Sequence, residues 1–128
     1  MPFDTISQVK AANKAIGNHW FDRGSMRFFN TKIESKLYGG RYFITSEQFV
    51  GSTGAGRRKY SIRYVNDDGS IDTVGEFNEM PGIELARYKV KRLLELEKEL
   101  LTHTKTPRVG IDLELWEWLQ KHHARSAT

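Results

Sequence analysis

The sequence has no cysteine among its 128 residues. A disulfide, a thiol nucleophile and a thiolate metal site are therefore impossible, and nothing points to an oxidising compartment. It also lacks any apolar run near the about 18 residues that a membrane span requires, and its first residues do not form the apolar stretch of a secretory signal. We therefore expect a cytoplasmic protein without membrane contact, and its length is typical of one domain.

The signatures of common enzyme classes are missing as well. The four histidines are scattered, and neither H-E-x-x-H nor G-x-S-x-G occurs. The loop from Gly51 to Arg58 partly matches the phosphate-binding pattern G-x-x-x-x-G-K-[ST], but Arg57 replaces the lysine and Arg58 replaces the hydroxyl residue that holds magnesium. A strand also follows where that loop needs a helix N-terminus. We predict no catalytic residue, no cofactor and no metal, hence a protein that is not an enzyme.

Charge is sorted along the chain. The whole chain carries +4, yet the segment 20–65 has nine basic residues against three acidic ones, a net of +6. The following segment, 66–101, has nine acidic and five basic residues, a net of −4. Because the basic segment also carries many aromatic residues, it is a candidate surface for an anionic partner.

The hydrophobic spacing predicts an α+β fold with an N-terminal helix, a four-stranded antiparallel β-meander and two C-terminal helices. Apolar residues recur every three or four positions at both ends of the chain, whereas the middle alternates with period two. We predict a single domain over residues 1–128, with an N-terminal helical segment (residues 1–19), a sheet segment (residues 20–77) and a C-terminal helical segment (residues 78–128). The expected helices are Thr5 to Ile16, Ile83 to Leu101 and Asp112 to His123, the last capped by its Asp; the expected strands are Met26 to Ile33, Arg41 to Val50, Lys59 to Val65 and Ser70 to Phe77.

Two interpretations of the sheet remain open. Phe43, Phe49 and Arg41 share one side of their strand, and Lys59 and Arg63 point the same way on the next, so this face could stack bases and neutralise phosphates. Alternatively, a helix covers each face of the sheet, and the aromatic residues are core. The apolar stripe of the long helix likewise has two interpretations, core packing or the seam of a homodimer.

The most strongly cationic element is the expected hairpin tip, which ends in Arg57, Arg58 and Lys59. Trp116 and Trp118 are only two residues apart on a helix, so one of them is a candidate anchor for a partner. The predicted partner-binding residues are Arg41, Phe43, Phe49, Arg57, Arg58, Lys59, Arg63 and Trp116.

The strand sequences from Ser25 to Ile33, Tyr38 to Glu47, Lys59 to Arg63 and Ile71 to Phe77 resemble a family of small proteins from phages and other mobile elements. The resemblance spans Trp20 to Phe77 and carries no catalytic signature. It implies the cytoplasm of a bacterial host and an accessory role that includes inhibition of host defence machinery.

We therefore predict a non-enzymatic binding protein that engages nucleic acid, or a nucleoprotein complex of the host, through its basic strands and hairpin tip. The alternative is an anti-defence inhibitor that binds a host protein effector directly. The acidic long helix or an exposed Trp would then make the contact.

Overall fold

The structure is a computed structural model, and it describes residues 3–28, 30–51, 54–77, 79–101 and 108–126. In chain order the elements are α1 (Ile6–Ala15), α2 (Arg23–Phe28), β1 (Lys32–Ile33), β2 (Tyr42–Glu47), β3 (Val50–Gly51), β4 (Gly54–Ala55), β5 (Lys59–Val65), β6 (Ile71–Val74), α3 (Ile83–Leu101) and α4 (Gly110–Ser126).

The main sheet is an antiparallel meander in the order β1-β2-β5-β6. Its central pairing places Ile44 opposite Ile62 and Glu47 opposite Lys59. The short strands β3 and β4 form a second hairpin between β2 and β5. The predicted α+β arrangement of an N-terminal helix, a four-stranded antiparallel sheet and two C-terminal helices is confirmed, and the structure adds the short helix α2 before the sheet.

One face of the sheet packs on α3 and α4. Ile44, Ile62 and Val74 alternate toward this face and meet Leu93 of α3 and Leu119 of α4 in one buried cluster. The apolar stripe of α3 is therefore used in the core, which was one of the two interpretations of this helix. The other buried members of this cluster are Tyr42, Met80, Ala86, Val90, Leu96 and Leu115.

The opposite face is partly covered by α1 and by the turn that follows it. Phe43 packs with Val9 of α1 and with Trp20 and Phe21, whose ring centroids lie 5.8 and 5.9 Å from its own. Phe43 is 0% exposed. The expectation that Phe43 belongs to a binding surface is therefore wrong, because amphipathic elements cover both faces of the sheet at this point.

The first predicted strand is also wrong over most of its length. Met26 lies in α2, where its amide donates to the carbonyl of Asp22 at 2.9 Å, and β1 has only two residues. Asn30 ends the helical turn with a positive φ of 49°, a conformation that Asn tolerates better than most residues. The amides of Asn30 and Thr31, just before β1, donate to the carbonyls of Arg27 and Met26 and not to a neighbouring strand.

Several element ends follow the turn chemistry of the sequence. Thr5 caps α1 by accepting from the amide of Gln8 at 3.2 Å, and Gly17 follows the helix with a φ of 77°. β6 stops at Val74 because Gly75, with a φ of 73°, turns the chain. α4 begins at Gly110, so Asp112 lies in its first turn and is not its cap.

Candidate functional site

Three of the predicted site cations hold the fold together. Arg41 forms an ion pair with Asp67 and donates to the carbonyl of Val65 at 3.2 Å. Arg58 donates to the carbonyl oxygens of Asn30 and Ser46, each at 3.0 Å. Arg63, the third, is buried in the sheet. The fold therefore uses some of the cationic charge that the sequence assigned to a partner.

Six other cations of the basic segment are exposed. None of them forms an ion pair with another residue in the described part of the chain. Two of them, Arg57 and Lys59, flank Arg58. The prediction that these three cations end a hairpin tip is wrong, because β3 and β4 pair before them and the cations lead from β4 into β5. Arg23 and Arg27 lie on α2, and Lys36 approaches the ring of Tyr38 at 4.7 Å. The full set is Arg23, Arg27, Lys32, Lys36, Arg57 and Lys59.

Three aromatic rings and the guanidinium of Arg63 are linked by contacts. The guanidinium carbon of Arg63 lies 5.2 Å from the ring centroid of Trp20 and 5.2 Å from that of Phe77. Phe77 in turn contacts Phe49 edge to face at 6.3 Å. We call Trp20, Arg63, Phe77 and Phe49 the aromatic ladder.

The outer end of the aromatic ladder is open to solvent. Phe49 is 44% exposed and Phe77 is 42% exposed, whereas Phe28, on α2, is 77% exposed. The side-chain amide of Asn30 donates to the side chain of Gln48 at 3.3 Å, and this contact holds the end of α2 beside the segment that carries Phe49. Exposed rings and exposed cations therefore share one end of the sheet.

The inner end of the ladder is a buried charge pair. Glu47 is fully buried; its Oε1 accepts from Ser61 at 3.1 Å, and its Oε2 lies 3.7 Å from Nη2 of Arg63. Burial lowers the pKa of Arg63 from its ordinary value, and the Glu47 carboxylate opposes that shift. Arg63 also donates through Nε to Thr45 at 3.0 Å and through Nη1 to Thr73. These contacts fix the guanidinium in place.

A cleft of about 460 Å³ opens above this guanidinium. Its volume falls within the roughly 300 to 1,000 Å³ that is usual for small-molecule sites. The cleft is lined by Asn18, His19, Trp20, Ser25, Met26, Thr31, Arg63 and Phe77.

Sequence reasoning missed Trp20 and Phe77 as site residues. Both lie outside the observed strands, Trp20 after α1 and Phe77 after β6. The predicted strand Ser70 to Phe77 is too long at its end, so the alternation of that strand did not give the position of Phe77. The only signal in the sequence is that each is an aromatic residue in a connecting segment, where binding residues concentrate.

Trp116 is not an open anchor. Its ring is half-buried against the core, and the guanidinium of Arg108 lies 3.9 Å from the ring centroid. Arg108 is itself paired with Glu99 at 3.0 Å. The ring of Trp116, a predicted candidate anchor for a partner, therefore has a cation from the same chain over it.

The acidic residues of the long helix are similarly engaged. Glu95 pairs with Arg92, and Glu84 pairs with Arg87 at 3.1 Å. Arg92 also holds Asp112 of α4 through two hydrogen bonds of 3.0 and 2.9 Å, which lowers the pKa of that carboxyl. Much of the negative charge of the segment 66–101 is thus compensated within the fold.

Within the described ranges, no group of three or more His, Cys, Asp or Glu side chains could hold a metal ion. No described helix is both long enough and apolar enough to cross a bilayer.

The fold and the site define a small α+β protein with an open surface of aromatic rings and cations. The chain belongs to the family described as "Family of unknown function (DUF7447)", which matches residues 5–91. The matched range contains α1, α2, the whole sheet and the first half of α3, so it includes the aromatic ladder. No curated protein and no solved structure matches the chain.

Proposed function

We propose that this protein binds single-stranded nucleic acid through the open end of the aromatic ladder. The observation that carries the proposal is the position of Phe49 and Phe77, which are two-fifths exposed and lie at the same end of the sheet as Arg57 and Lys59.

The chemistry of this surface suits unpaired bases. An aromatic ring stacks on a base for roughly 1 to 3 kcal/mol, with little regard to sequence. Exposed Arg and Lys side chains neutralise phosphates, so affinity falls as salt rises. The faces of bases in a duplex are already stacked on each other, and we therefore expect a preference for single strands.

The alternative is an inhibitor of a host protein effector, with contact through α3 or an exposed Trp. Two observations favour nucleic acid over that alternative. Arg108 covers the ring of Trp116, and Arg87 and Arg92 neutralise acidic groups of α3. By contrast, Arg57 and Lys59 form no ion pair with other described residues.

The resemblance of the strands to phage and mobile-element proteins suggests the setting. We propose that the protein acts in the cytoplasm of a bacterial host and engages nucleic acid, or a nucleoprotein complex of that host, during infection or mobilisation.

Fluorescence anisotropy with a labelled oligothymidine and a duplex of equal length tests the proposal at about 50 and about 200 mM salt. We expect the oligothymidine to bind more tightly, with affinity falling steeply between the two salt concentrations. The variant Arg57→Glu/Lys59→Glu should lose most of this binding.

A matched control reverses two exposed lysines elsewhere, Lys98→Glu/Lys121→Glu on α3 and α4, and changes the net charge equally. Absence of binding near 50 mM salt, or equal loss in both variants, would contradict the proposal. Capture of a host protein after nuclease treatment, with no oligonucleotide binding, would favour the inhibitor.

A further inference from the structure

We infer that the cleft above Arg63 receives one unstacked base of the bound strand and that the base it selects is guanine. This inference rests on the proposed function and adds a base preference to it.

The walls of the cleft suit a flat ring. The rings of Trp20 and Phe77 both approach the guanidinium of Arg63, and all three side chains line the cleft. The ring of Trp20 is held edge to face by Phe21 at 4.6 Å and by Phe43 at 5.8 Å. The Trp wall is thus positioned before any ligand arrives, which reduces the entropy lost on binding.

The floor of the cleft carries hydrogen-bond donors. A guanidinium has five N–H donors in a planar fork. The threonines Thr45 and Thr73 accept one donor each, and the Nη2 of Arg63 lies 3.7 Å from Glu47, too far for a hydrogen bond. Arg63 therefore keeps donors for a ligand although it is only 7% exposed.

The pairing with Glu47 decides which kind of ligand fits. Because the buried carboxylate compensates the charge of Arg63, the pair as a whole is neutral and attracts a phosphate less than a lone arginine does. A neutral base with two adjacent acceptors can still use the fork. Guanine offers O6 and N7 in this arrangement, whereas adenine places the N6 donor where O6 would be.

The experiment uses the unmodified protein and oligothymidines with one central guanine, inosine, 7-deazaguanine or adenine. Inosine keeps O6 and N7, whereas 7-deazaguanine lacks the N7 acceptor. We expect guanine and inosine to bind about tenfold more tightly than adenine, with 7-deazaguanine between them. The tryptophan fluorescence of the protein should be quenched when the guanine oligonucleotide binds, and this quenching should be absent in Trp20→Phe.

The variant Arg63→Lys keeps the charge and removes the fork. It should no longer distinguish the guanine oligonucleotide from the adenine one, provided that circular dichroism shows a folded protein. If the variant does not fold, the base series on the unmodified protein decides alone. Equal affinity for all four oligonucleotides overturns the guanine site and leaves the proposed function intact, whereas no binding to any of them overturns both.

Discussion

Phe43 and Phe49 share one strand-face pattern in the sequence but have opposite surroundings in the fold, so their alanine variants should behave oppositely. Phe43 is 0% exposed and packs against Val9 and Trp20, whereas Phe49 is 44% exposed and has Phe77 as its aromatic neighbour. Replacing a buried Phe by Ala costs about 3 to 5 kcal/mol, because contacts are lost and a cavity remains.

For a domain of this size, such a loss lowers the melting temperature by about 10 to 20 °C. Phe49→Ala removes an edge-to-face pair worth about 1 kcal/mol, and the expected change in melting temperature is about 4 °C. For nucleic-acid binding we expect the opposite order, with Phe49→Ala the more damaging of the two variants. Phe49→Ala removes a stacking ring and should weaken oligothymidine binding by about 1 to 3 kcal/mol, or roughly 5- to 150-fold.

Thermal unfolding followed by circular dichroism measures the melting temperatures of the two variants. Fluorescence anisotropy at low salt measures their affinity for oligothymidine. Binding by Phe43→Ala is measured at a temperature where the variant is still folded, and it should weaken less than binding by Phe49→Ala, because Phe43 is buried and acts on the aromatic ladder only through Trp20. The reasoning is refuted if Phe43→Ala melts within about 4 °C of the unmodified protein, or if Phe49→Ala is the less stable of the two.

Three further predictions concern stability. Glu47→Gln leaves the buried guanidinium of Arg63 without its carboxylate, and chemical denaturation should show a loss of about 3 kcal/mol. Gly69 has a φ of 96°, and an added Cβ would lie 2.6 Å from the backbone of α1, so Gly69→Ala should cost about 2 kcal/mol in the same assay. The pKa of Asp112 is lowered in the folded state by Arg92, so its contribution of about 1 kcal/mol is present above the unfolded value of 3.8 and is lost as pH falls through the lower folded value. Asp112→Asn should thus be less stable than the unmodified protein at pH 7, and the difference should shrink as the pH falls below 3.8.

Each of these variants has a result that contradicts its reasoning. Gly54 also has a positive φ, of 110°, but an added Cβ there meets nothing within 4 Å, so Gly54→Ala is the control for strain without contact. If it costs as much as Gly69→Ala, the close approach to α1 is not the cause. For Asp112→Asn, a stability difference that stays constant from pH 7 to pH 2 would exclude the ion pair as its origin. For Glu47→Gln, unchanged stability would mean that the carboxylate does not compensate Arg63.

The sheet and the long helices were predictable because their signals are periodic. Residues of β5 alternate between the two faces along the whole strand, and apolar residues of α3 recur every three or four positions over several turns. The bounds of both elements match the sequence prediction. The short helix α2 was not predictable in this way. It has six residues, too few for a period, and it depends on the local turn that ends at Asn30.

The positive charge of the candidate site was predictable from the sequence, but the residues that form the site were predictable only in part. Arg57 and Lys59 are exposed as expected, although they lie between β4 and the start of β5 and not at a hairpin tip. Phe43 and Trp116 could not be excluded from the sequence alone. Val9 and Trp20, which cover Phe43, are distant from it in the chain, and Arg108, which lies over Trp116, precedes α4. Phe77 could not be included, because its contact with Arg63 joins the end of β6 to the middle of β5.

The sequence by itself determined the fold class, the order of the long elements and the concentration of positive charge in residues 20–65. These properties depend on composition and on spacing between near neighbours. The tertiary structure alone decided which cations remain available. Arg41 meets Asp67 and Arg63 meets Glu47 only through strand register, because residues 16 or more positions apart become neighbours when the strands pair.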